Sequence, residues 1–89
     1  MTHQIKLQVQ KKLEVLAQLN ISKTTLDNKI KEKTYVPPFS LGLRSVGFLS
    51  HETDIMIAAM AANTSKDDLK ILVKRLIDER KSLFLGEMS

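Results

Sequence analysis

The sequence contains no cysteine and no tryptophan, and its 89 residues include only three glycines and two prolines. Without thiols there are no disulfides, no thiolate nucleophile, no cysteine-ligated zinc and no iron–sulfur cluster, and a reducing compartment is permitted. Gly42, Gly47 and Gly86 match neither a phosphate-cradling loop nor a dinucleotide fingerprint. Histidine is scarce as well: neither His3 nor His51 has a second His or Cys at a metal-ligand spacing, so no metal or cofactor is expected. Ser50 and His51, with Asp54 three residues further on, read as a capping serine beside a solvent-facing histidine rather than as a catalytic group. No enzymatic chemistry is expected. The longest apolar run, Ile55 to Ala62, has eight residues against the roughly 20 that span a bilayer. Met1 to Lys6 lacks the basic start and long apolar core of a secretory leader. A cytoplasmic protein without a membrane segment is expected.

What remains is ordinary globular material, 43% hydrophobic and 27% charged, enough for one small core. The net charge of +4 is unevenly placed. Residues 1 to 49 carry eight basic and three acidic side chains, whereas residues 50 to 89 carry six and seven. That asymmetry directs the front half toward anions, nucleic acid foremost.

Ile5, Val9, Leu13, Leu16 and Ala17 recur at helical spacing, which predicts a helix from about Gln10; Ile5, Leu7 and Val9 also alternate like a strand, leaving the segment before it open. Asn20 tolerates the left-handed conformation that ends helices, and Ser22 is a strong cap for the next one. Two helices joined by Asn20-Ile21-Ser22 have the spacing of a helix-turn-helix, which unrelated helical hairpins share. In the second helix, Lys23 to about Lys33, Leu26 and Ile30 face inward. Thr24, Asn28 and Lys31 then face outward, flanked by Thr25 and Asp27, with Lys23 or Lys31 as an ion-pair partner for Asp27. Val36-Pro37-Pro38 ends any helix. Phe39-Ser40-Leu41 and Val46-Gly47-Phe48 alternate on either side of Gly42-Leu43-Arg44-Ser45, which predicts a small hairpin with Arg44 near its tip.

Ser50 is expected to cap a third helix with Glu52 in its dipole-favoured first turn, and its body, Ile55 to Ala62, is apolar on every side and should be covered on more than one. Asn63-Thr64 breaks it. Ser65 then caps a fourth helix with the stripe Leu69, Leu72, Val73, Leu76, Ile77, Leu83 and Phe84, interrupted by Arg80 and closed by Gly86. Lys70, Lys74, Asp78 and Lys81 fall on its other side.

Three features converge on nucleic acid: a short turn presenting an exposed helix, a helix bearing Lys23, Lys29, Lys31 and Lys33 beside Thr24, Thr25 and Asn28, and a following hairpin with Arg44. Lysines supply sequence-blind attraction to phosphate. Asn28 can take an adenine edge with both amide groups, and Thr24 can pack its methyl on thymine or bond a base edge. Any one of these features is common; their succession is not.

The segments Val15 to Leu26, Thr34-Tyr35-Val36-Pro37-Pro38-Phe39, and Leu41 to Phe48 with Glu52 resemble the AlpA-type phage regulatory proteins, whose fold is similar to that of excisionases and of the MerR-type winged domain. The resemblance covers about residues 10 to 60. The family pattern has glycine where Lys33 stands, an aromatic where Asp27 stands and tryptophan where Phe48 stands. The resemblance implies that the Ser22-capped helix enters the major groove and that Arg44 touches backbone or minor groove.

The expected architecture is therefore mostly α with a small β-hairpin wing: a winged helix-turn-helix over residues 1–62, with an added amphipathic helix over 63–89 that packs on it or dimerises. The expected function is sequence-specific, double-stranded DNA binding by a transcriptional regulator of the prophage or mobile-element type, with Ser22, Lys23, Thr24, Thr25, Asn28, Lys31, Arg44 and Ser45 at the interface. An excision factor, or a protein-binding inhibitory module that leaves DNA alone, is the alternative. A homodimer through Leu69, Leu72, Leu76 and Leu83, and a recombinase or polymerase subunit, are the expected protein partners.

Overall fold

A computed structural model describes residues 7–88, with side chains described for 7–83. His3, Ile5 and the side chain of Phe84 lie outside the described residues. The order of elements is β1 (Val9–Gln10), α1 (Lys12–Leu19), α2 (Lys23–Lys31), β2 (Phe39–Gly42), β3 (Ser45–Leu49), α3 (Ser50–Ala61) and α4 (Lys66–Met88). The chain is mostly helical with one small antiparallel sheet, in the order β1-β3-β2.

The α1–α2 connection is built as its residues dictate. Asn20 holds φ 56°, in the left-handed region, and the Ile21 amide donates back to the Leu16 carbonyl at 3.2 Å. Ser22 is extended, and its hydroxyl accepts from the Thr25 amide at 3.2 Å. α2 stops at Lys31, two residues short of expectation, because Lys33 swings to φ 66°. Thr34 N then donates to the Lys29 carbonyl and Lys33 N to that of Ile30, a Schellman closure that glycine ordinarily makes.

The hairpin forms as expected, tightened to a two-residue turn at Leu43-Arg44, with Arg44 at φ 58°. A third strand takes up the alternation that Val9 shares with Leu7 and extends it by one residue. Gln10, expected in the first helix, instead pairs with Phe48, and Val9 with Leu49. Gly47 permits the arrangement: a Cβ there would lie 2.6 Å from Val9 Cγ1 and 2.9 Å from Leu41 Cδ1, so side chains of both outer strands close over it.

Two further expectations are corrected. Ser50 does not cap α3; Leu49 occupies that position, and the Ser50 amide is taken by the Gln8 carbonyl at 2.8 Å, because β1 brings Gln8 beside the helix start. Gly86 does not close α4, which continues to Met88. Ser65 does cap, accepting from the Asp68 amide, and Asn63 at φ 58° ends α3. α3 is covered on one side only. Met56 is fully buried, but Ile55, Ala58, Ala61 and Ala62 are exposed. Alanine methyls expose so little apolar area that a second cover is not required.

One core gathers Val15 from α1, Leu26 from α2, Tyr35 and Val36 from the connection, Phe48 from β3, Met56 from α3, and Leu69, Val73 and Leu76 from α4. Leu69 and Leu76, two leucines of the expected dimer seam, are thus buried in the chain's own interior. Tyr35 and Phe48 meet edge to face at 6.2 Å, and the Tyr35 hydroxyl donates to Thr53 Oγ1 at 2.8 Å.

Burial raises the Tyr35 pKa above its ordinary 10.0, outweighing the Thr53 hydrogen bond that lowers it. The folded phenol thus holds its proton at a pH where the unfolded one releases it. Its contribution to stability is complete below 10.0 and is lost as the pH climbs through the raised value. Tyr35 is the only tyrosine, so its ultraviolet titration is unambiguous. Ionisation is expected above 10.0 and together with loss of helix, and Tyr35→Phe should remove that pH dependence.

Arg80, the interruption in the α4 stripe, is a tie between elements. Its Nε and Nη2 donate to the Glu52 carboxylate at 3.0 and 2.7 Å, and Nη2 also donates to the Pro37 carbonyl at 2.9 Å. The guanidinium lies 5.7 Å from the centroid of the Phe39 ring.

Candidate nucleic-acid interface

Leu26 is fully buried and Ile30 half-buried against the core, which fixes the rotation of α2 about its axis. At 100° per residue Thr24, Asn28 and Lys31 then occupy a sector about 60° wide on the opposite side. All three are exposed, and their side chains make no hydrogen bond or ion pair among the described residues. Lys23, the first helical residue, is also exposed but lies about 80° outside this sector, toward the side of Ile30. The first intrahelical bond is Leu26 N to Ser22 O, so the amides of Lys23 and Thr24 precede it and point out of the helix start. The macrodipole and these amides favour an anion there.

Thr25 is exposed but already engaged, since its hydroxyl and that of Ser22 are 2.9 Å apart. Ser22 and Thr25 together shape the helix start, leaving Thr24 and Asn28 as the free hydrogen-bonding side chains of the face. Asp27 pairs with neither Lys23 nor Lys31. The turn at Asn20 folds α1 back on α2, and Lys12 of α1 donates to the Asp27 carboxylate. This part-exposed pair neutralises Asp27 beside the face and contributes at most about 1 kcal/mol.

Arg44 and Ser45 belong to a different element, the tip and start of the β2–β3 hairpin, and both are exposed. Leu43 beside them is 99% exposed, so the tip projects into solvent. No hydrogen bond or ion pair links the hairpin tip to α2 among the described residues. The structure therefore brings six of the eight expected residues onto one helix and its cap, and carries the other two on a projecting turn.

Asp54 accepts from Gln18 Nε2 at 3.0 Å, and His51 Nδ1 is buried without a hydrogen-bond partner. No group of three or more potential metal ligands occurs among the described residues, and no described helix is long and apolar enough to cross a membrane. Lys12 was missed as part of this surface; its signal was a lysine at the start of the helix that the short turn folds against Asp27. No protein-family model, curated protein or solved structure matches the chain.

Proposed function

We propose that the chain is a sequence-specific DNA-binding regulator of the AlpA type, a winged helix-turn-helix protein that performs no chemistry. The observation that carries this reading is the α2 face: Thr24, Asn28 and Lys31 stand free on the side opposite a fully buried Leu26, beside a helix start whose amides are open. In this reading the Lys23 and Thr24 amides take one phosphate, Lys23 and Lys31 neutralise backbone, and Thr24 and Asn28 address base edges in the major groove. Arg44, on the projecting turn, reaches the adjacent backbone or minor groove. One such head touches few bases, so paired half-sites on DNA would supply the rest of the specificity.

Fluorescence anisotropy with a labelled duplex tests this. Neutralising three phosphates predicts affinity falling about 40-fold between roughly 50 and 200 mM salt. Binding that is absent, or indifferent to salt, removes DNA as the partner. Asn28→Ala should leave the salt slope unchanged and cost about 1–3 kcal/mol on the preferred duplex alone. An equal loss on every duplex would take Asn28 off the reading face.

A further inference from the structure

A cavity of about 570 Å³ opens between the end of α2 and one face of α4. Lys70, Val73, Lys74 and Ile77 line it at i, i+3, i+4 and i+7, a single stripe of α4, and Ile30, Lys33, Tyr35 and Pro37 complete it. We propose that this cavity binds a small organic anion with an apolar body: a carboxylate, sulfonate or phosphate ester joined to an alkyl or aryl group. The proposal does not rest on what the Thr24, Asn28 and Lys31 face of α2 contacts.

Size agrees, since small-molecule sites occupy roughly 300–1,000 Å³. The walls are apolar. Ile77 belongs by spacing to the core stripe of α4, yet it is 38% exposed because its side of the helix faces this cavity. Two polar atoms of the walls are already spent inside the protein. The Tyr35 hydroxyl donates to Thr53, and the Pro37 carbonyl accepts from Arg80. Lys33, Lys70 and Lys74 remain as the charged groups of the lining, and no acid lines it. None of the three forms an ion pair among the described residues, although Asp67 and Asp78 stand one turn from Lys70 and Lys74 on the same helix. These three exposed lysines line an otherwise apolar cavity and bring donors only. An occupant that complements them has an apolar portion and an acceptor that carries negative charge.

Decanoate below its micelle concentration is the probe, with decanol as its uncharged counterpart, followed by amide chemical shifts of the labelled full chain. Decanoate is expected to move the amides of Lys33, Tyr35, Lys70, Val73, Lys74 and Ile77. Lys70→Gln/Lys74→Gln, at two exposed helix positions, should weaken decanoate about tenfold and leave decanol unaffected. The proposal is overturned if those amides stay still, if shifts gather elsewhere, or if decanol binds as well as decanoate. It is also overturned if an acidic peptide or duplex DNA moves those amides while decanoate does not.

Discussion

Arg80→Ala is expected to cost about 3–5 kcal/mol, a large part of the roughly 5–15 kcal/mol available to a domain of this size. The substitution leaves the Glu52 carboxylate, 1% exposed, in the interior without either of its two charge-assisted bonds. It also frees the Pro37 carbonyl and uncovers the Phe39 ring. Urea denaturation should show the loss as a lower midpoint with little change in slope. Arg80→Lys should recover only part of it, because an ammonium cannot make the planar two-point contact with Glu52 and still reach Pro37. The double variant Glu52→Leu/Arg80→Met should be far milder than Arg80→Ala, since it removes both charges together. A change within about 0.5 kcal/mol for Arg80→Ala, the range of ordinary surface substitutions, would show that the guanidinium ties nothing.

That tie marks the boundary of what the sequence makes legible. Asn20, Ser22, the proline pair and Ser65 act through neighbours no more than five residues away, so their roles follow from local rules. Arg80 and Glu52 are 28 positions apart, and along the chain one looks like a flaw in a stripe and the other like a dipole-favoured acid. β1 is only half legible for a related reason: Ile5, Leu7 and Val9 alternate like a strand but also fit a helical period, and it is the match of Val9 and Gln10 to Leu49 and Phe48 that decides for a strand. Its presence displaces Ser50 from the cap, so one missed long-range pairing produces a second error. Lys33 is different again. Lysine carries no turn signal, and only the closure onto Lys29 and Ile30 places it at positive φ.

The candidate interface divides along the same line. Exposure of Thr24, Asn28 and Lys31 follows from helical period once Leu26 and Ile30 face inward. The pairing of Asp27 with Lys12 depends instead on how the turn folds α1 against α2, and the lysine-rimmed cavity depends on which face of α4 comes to rest beside the end of α2. Neither is a property of one segment.

Replacing Lys23, Lys31 and Arg44 together by Gln separates the candidate interface from a merely basic protein. If each cation neutralises one phosphate, the triple variant loses about 2.7 from the slope of log affinity against log salt. At about 0.1 M salt that amounts to a loss near 500-fold, roughly 3.7 kcal/mol. None of the three forms an ion pair within the chain among the described residues, and all are exposed, so the fold should be unaffected. A control of equal charge, Lys66→Gln/Arg75→Gln/Lys81→Gln on α4, lowers the net charge by the same amount but leaves α2, the hairpin and the cavity beside α2 intact. It should change the slope by less than one contact, because charges beyond about 10 Å are largely screened at this salt. Equal losses from both variants would mean that DNA responds to net charge alone. A full loss from the α2 and hairpin variant and little from the control is the result that a reading head built on Ser22-capped α2 requires.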